Sequence, residues 1–127
     1  DQPGLRYLGN VPFADVPYAL AASDVLAIPY RRSPFMDAGA SNKIAEAMAC
    51  QRPIVATRSP NLTANFPQQA QELEPYLAES SQPSSLATVL AHQLLDRKLV
   101  AAPQNIYWSG ITSTLEQDLK RLNHDPA

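Results

Sequence analysis

Two short apolar runs lie near the start of the chain, Arg6 to Leu8 and Val25 to Ile28, each bounded by Gly, Pro or Asp. Runs of that length suit buried strands of a parallel sheet, which show no alternation because both faces are covered. Between them, Val16 to Ala22 is long enough for about two turns of helix, with Asp15 as its N-cap. A βαβ crossover is the economical reading.

The stretch Pro29-Tyr30-Arg31-Arg32-Ser33-Pro34-Phe35-Met36-Asp37-Ala38-Gly39-Ala40 is rich in breakers and predicts a long functional loop. It leaves the C-terminal end of a strand, where open α/β sheets bind their ligands. Ser41 to Cys50 predicts a helix capped by Ser41, with Ile44, Ala47 and Met48 on one face. Arg52-Pro53 then feeds a β-rich run from Ile54 to Thr57.

From Asn61 to Gln82 the pattern is faint. Pro67, Pro75 and the following Pro83 interrupt it, Gln68-Gln69-Ala70-Gln71 is polar, and only a short strand around Tyr76 to Ala78 is predicted. Helical spacing returns with Leu86, Val89, Leu90 and Leu94, where Ser84 or Ser85 would cap the start. Pro103 breaks the chain, and Ile111, Leu115, Leu119 and Leu122 mark a final amphipathic helix. Tyr107-Trp108 at its start is expected to pack that helix against the body.

The length of 127 residues fits one domain with a core of its own. A net charge of -2 and a pI near 5.6 provide no electrostatic footprint for nucleic acid. Arg31-Arg32 is too small a basic cluster for a membrane patch. Cys50 is the only cysteine, which rules out an internal disulfide and a multi-cysteine zinc site and predicts a reducing compartment. With no histidine near it in sequence, Cys50 reads as a packed residue and not as a nucleophile; His92 and His124 come much later. No run is apolar enough to span a bilayer, and Asp1-Gln2-Pro3-Gly4 lacks the features of a signal peptide. The expectation is a cytoplasmic chain with no membrane span and no nucleic-acid partner.

The segment Gly39-Ala40-Ser41-Asn42-Lys43-Ile44-Ala45-Glu46-Ala47-Met48-Ala49, with Pro53-Ile54-Val55-Ala56-Thr57 behind it, resembles the donor-binding signature of GT-B glycosyltransferases, in the retaining group 1, family 4-like set. The order of the other motifs is similar too: Leu5 to Pro12, Val16 to Val25, Ser84-Ser85-Leu86-Ala87 and Tyr107-Trp108-Ser109. The resemblance implies an α/β fold, a Rossmann-like parallel sheet flanked by helices. It also implies that residues 1–127 are the C-terminal part of a donor-binding domain. The domain's first strand, helix and strand, and the N-terminal acceptor domain, would then lie outside the chain, and the chain alone would be inactive.

By the same resemblance, Glu46 would hold the donor ribose, and Ser41, Asn42 and Lys43 the diphosphate. Asp37, Gly39 and Ala40 would meet the sugar, and Gly9, Asn10 and Val11 the base. A helix N-terminus suits a diphosphate, because unpaired N–H groups and the positive end of the helix dipole point at it. A carboxylate one turn in can accept two vicinal hydroxyls. Read from the residues alone, Ser41 is equally a plain cap and Gly9 a turn glycine, while Glu46 fits a surface charge better than a ligand contact. Many relatives carry an acid eight positions before the ribose Glu, where this chain has Ala38; the Ser-x-Lys spelling at Ser41 to Lys43 resembles a subgroup in which that acid is often absent. Gln51 stands where the family has a helix-ending glycine, so either Gln51 takes the strained left-handed conformation or the helix ends differently.

The implied reaction is transfer of a sugar from a nucleoside diphosphate sugar to a hydroxyl acceptor, with retention and with neither metal nor cofactor. A noncatalytic nucleotide-binding module and a sugar-nucleotide epimerase of the same two-domain plan are the alternatives. With central strands missing, the strand at Arg6 to Leu8 is expected either to pair directly with Val25 to Ile28 or to leave a gap that a homodimer covers.

Overall fold

The computed structural model describes residues 3–124, with side chains through residue 121. Asp1 and Gln2 of the start segment, and the side chains of Leu122 and His124, lie outside the described residues. A 3-10 turn, Phe13–Asp15, runs into helix α1, Val16–Ala21, and strand β1, Leu26–Ile28, follows. Helices α2, Pro34–Ala38, and α3, Asn42–Ala49, lead to strand β2, Ile54–Thr57. Helices α4, Pro60–Thr63, and α5, Pro67–Glu72, and a 3-10 turn, Glu74–Tyr76, precede strand β3, Leu77–Ala78. Helix α6, Pro83–Asp96, a 3-10 turn, Gln104–Ile106, and helix α7, Trp108–His124, complete the order.

The three strands form one parallel sheet in the order β1-β2-β3, with Leu26 opposite Ile54 and Ala56 opposite Leu77. All four residues of β2 are buried, the mark of a central strand covered on both faces. Helix α3 packs on β1, and α6 packs on β2 and β3. Ile44, Met48, Ile54, Val55, Leu62 and Leu73 are the largest fully buried apolar side chains. This is the α/β sheet flanked by helices that the motifs predict.

Several expectations are corrected. Residues 5–12 hold no strand, and Leu5, Tyr7 and Leu8 are 72%, 88% and 65% exposed. An apolar run becomes a strand only when a neighbour accepts its backbone bonds, and among the described residues β1 bonds to β2 alone. Neither the first βαβ crossover nor the rearranged sheet forms. Asp15 occupies the N-cap of α1 but makes no side-chain cap bond, because the preceding 3-10 turn holds it in helical geometry.

The loop read from Pro29 to Ala40 contains α2, where Ser33 Oγ accepts from the Met36 N–H at 3.2 Å and Pro34 takes the first turn. Neither Ser84 nor Ser85 caps α6: Gln82 is the N-cap, Pro83 opens the helix, and Ser85 Oγ accepts from the Glu79 N–H at 2.9 Å. Leu94, grouped by spacing with Leu86, Val89 and Leu90, is 44% exposed. It lies roughly 80° round the helix from Leu86, and the buried position near it is Gln93. Gln93 Nε2 donates to the carbonyls of Ile54 and Lys98, and Oε1 accepts from the Lys98 N–H, tying α6 to the start of β2. Trp108, read as packing α7 against the body, is 80% exposed, because α7 rests mainly on the turn before it.

Candidate functional site

The parallel strands all end at one edge of the sheet, and the segments leaving those ends build the site. β1 runs into Pro29 and Tyr30, β2 into Arg58 and Ser59, and β3 into Glu79, Ser80 and Ser81. Two depressions open there and share Tyr30. One, of about 500 Å³, lies between α2 and the tip of α3, with Gly39, Ala40, Ser41, Asn42, Lys43 and Asn61 in its wall. The other, of about 350 Å³, lies over the strand ends, with Arg31, Thr57, Ala78 and Glu79 among its lining.

Ser41 organises the helix tip. Its Oγ accepts from the Ile44 N–H at 3.2 Å and lies 2.9 Å from Tyr30 Oη. With the Ile44 N–H thus engaged, the Asn42 and Lys43 N–H groups are the first-turn donors without an acceptor inside the helix. Asn42 and Lys43 are exposed. Glu46, one turn further in, is also exposed, and it lines a separate hollow of about 240 Å³ with Asn42, Ala45, Ala49, Ile106 and Tyr107. Asn42 belongs to both hollows, so the surface from the helix tip to Glu46 is continuous.

The three residues assigned to the sugar, Asp37, Gly39 and Ala40, divide, with Ala38 between them. Gly39, Ala40 and Ala38 line the larger hollow. Asp37 is not among its lining residues; both its oxygens accept from Arg32 Nε, at 2.8 and 2.9 Å. The Arg32 N–H in turn donates to Ser80 Oγ, tying the approach to α2 to the loop after β3. Gly9, Asn10 and Val11 are exposed, and they line neither hollow at the strand ends. Gly9 has φ of 72°, so its turn does need glycine.

Arg58, directly after β2, fastens the rim. Its guanidinium donates to both oxygens of Glu74 at 2.6 and 2.7 Å and reaches Glu79 at 3.3 Å. The Glu74 bond raises the guanidinium pKa, burial opposes this, and Glu79 adds to it. Cys50 is a free, half-buried thiol, and His92 sits on an exposed part of α6.

Sequence reading passed over two residues of this site. Tyr30 was legible only as an aromatic beside Pro29. Asn61 had no signal beyond being polar in the first turn after Pro60, yet it is 3% exposed in the wall of the larger hollow.

The family model described as "Glycosyl transferases group 1" matches residues 1–96. The chain belongs to that family. The matched span holds all three strands, α3 and both hollows at the strand ends. No curated protein and no solved structure matches the chain. Membership of the group 1 glycosyl transferases assigns the chain to glycosyl transfer, which requires a sugar donor. Among the described residues, no helix of this group 1 transferase chain is long and apolar enough to cross a membrane.

Proposed function

We propose that this chain binds the nucleoside diphosphate part of a sugar donor, and that the sugar passes to a hydroxyl acceptor with retention at the anomeric carbon. The observation that carries the reading is the Ser41-capped tip of α3 opening into a hollow of about 500 Å³ at the strand-end edge of the parallel sheet. The Asn42 and Lys43 N–H groups, with the Lys43 ammonium, face the diphosphate. They stabilise the charge that builds on it as the glycosidic bond breaks. Glu46 accepts the ribose hydroxyls one turn further along α3, within the surface that Asn42 connects to the tip. Gly39 and Ala40 flank the sugar, Asp37 stands behind them in its pair with Arg32, and Gly9-Asn10-Val11 approach the base.

No metal or prosthetic group is invoked, since positive charge comes from Lys43 and the helix tip. The acceptor occupies a separate N-terminal domain that closes over the strand-end edge. Glu46→Ala in the full-length protein is expected to weaken nucleoside diphosphate binding by about 1.5–3 kcal/mol, the scale of hydrogen bonds to a charged group. Titration calorimetry on the folded variant checks this, and an unchanged affinity rejects the ribose role.

A further inference from the structure

We infer that Asn61 reads a hydroxyl of the donor's sugar through its Oδ1, which makes it a specificity-determining residue; the inference rests on the donor-binding reading above. Asn61 is 3% exposed, and its Oδ1 has no hydrogen-bond partner in the fold. The orientation of the amide is set, because Nδ2 donates to the Met36 carbonyl at 3.0 Å and an oxygen there would face another oxygen. The atom left over is therefore an acceptor, and native folds seldom bury one without a use.

The surroundings say what would use it. Asn61 shares the wall of the larger hollow with Ser41, Asn42 and Lys43. Donors at the helix tip and an acceptor at Asn61 suit a phosphorylated polyol, whose anion meets the former and whose hydroxyl meets the latter. The acid nearest the expected sugar position is already engaged, since both Asp37 oxygens are held by Arg32, and Ala38 beside it has no polar side chain. A neutral amide oxygen also accepts a hydrogen bond from a hydroxyl without setting a second negative charge beside a diphosphate.

Gly39 supplies an independent observation. Its φ is -85°, so the backbone does not require glycine. A Cβ there would lie 3.7 Å from the Met36 carbonyl oxygen and 3.8 Å from Asn61 Nδ2, which is ordinary contact. A side chain would fit there against the Asn61 amide, so glycine at 39 leaves more room in the hollow beside that amide than any other residue would.

The test is calorimetry on the full-length protein with UDP and UDP-glucose, and with GDP and GDP-mannose, for the wild type, Asn61→Leu, Gly39→Ala and the double variant. For the pair that binds, each single variant is expected to raise the Kd of the nucleotide sugar about tenfold and that of the nucleoside diphosphate less than about twofold. The double variant loses no more than either single one, because both act on one contact. Among donors with single sugar hydroxyls replaced by hydrogen, one should bind the wild type weakly while losing nothing further in Asn61→Leu. Equal changes for both ligands, no change, or additive losses overturn the assignment. If Asn61→Leu does not fold, the Gly39→Ala ratio and the deoxy series on the wild type and Gly39→Ala decide. Failure of the wild type to bind either nucleoside diphosphate removes the donor-binding reading itself; normal binding with unmoved ratios removes Asn61 alone.

Discussion

Gln51 has φ of 52°, in the left-handed region where a side chain meets the backbone. It is there because α3 ends in a Schellman arrangement: the Gln51 N–H donates to the Met48 carbonyl at 3.0 Å and the Arg52 N–H to that of Ala47 at 3.3 Å. Those bonds satisfy carbonyls at the helix end, and they outweigh the strain of one residue. Gln51→Gly is therefore expected to raise stability by up to about 1 kcal/mol, read as a higher urea midpoint. Tyr76 offers a second test at this scale. Its hydroxyl donates to Asp96 Oδ2 at 2.8 Å, and that bond, with burial and the Asp96 charge adding to it, raises the phenol pKa above its ordinary 10.0. The folded state thus holds the proton more tightly than the unfolded chain, so the stabilisation is complete below pH 10 and is lost as pH rises through the folded pKa. Tyr76→Phe should flatten the decline of stability with pH in that alkaline range, measured by urea unfolding at a series of pH values.

Proline opens elements in this fold. α1, α2, α4, α5 and α6 each carry proline in the first turn, where the missing N–H would have had no helical acceptor anyway. The stretches Pro29 to Ala40 and Asn61 to Gln82 looked broken because proline, which ends a helix from within, also starts one. Helix α7 shows the reverse case with glycine. Gly→Ala inside a helix ordinarily stabilises by about 1 kcal/mol. At Gly110, however, a Cβ would collide with the Gln104 carbonyl, the surface on which α7 rests. Close packing outweighs propensity there, and Gly110→Ala is expected to release α7 from the 104–106 turn. Hydrogen exchange should then show faster exchange through α7 with α3 and β2 unchanged; an unaltered α7 would mean the turn simply moves aside.

At the scale of the molecule, β1 bonds to β2 alone among the described residues and leaves an open edge of the sheet. Leu5, Tyr7, Leu8, Phe13 and Tyr18 are all at least 65% exposed before that edge, and Ile111, Leu115 and Leu119 expose a stripe on α7. Large apolar surface and an unpaired strand edge both favour association. The 127-residue chain in isolation is expected to scatter light as a dimer or larger species; a stable monomer across micromolar concentrations would show that these surfaces tolerate water.

The local features of this protein were determined by the sequence itself: the Ser41 cap with Ile44, Ala47 and Met48 buried beneath it, the run Ile54 to Thr57, the left-handed stop at Gln51, and the order of motifs that marks the family. Each depends on residues within a turn or a few positions of one another, where spacing and side-chain type act directly on the backbone. Only the tertiary structure decided that Arg6 to Leu8 is not a strand, that Arg32 holds Asp37, that Tyr30 reaches Ser41, and that Asn61 is buried beside the helix tip. A strand needs a partner's backbone, and a polar side chain becomes a site only when distant segments withdraw it from water. Both depend on which parts of the chain meet, and no local pattern carries that information.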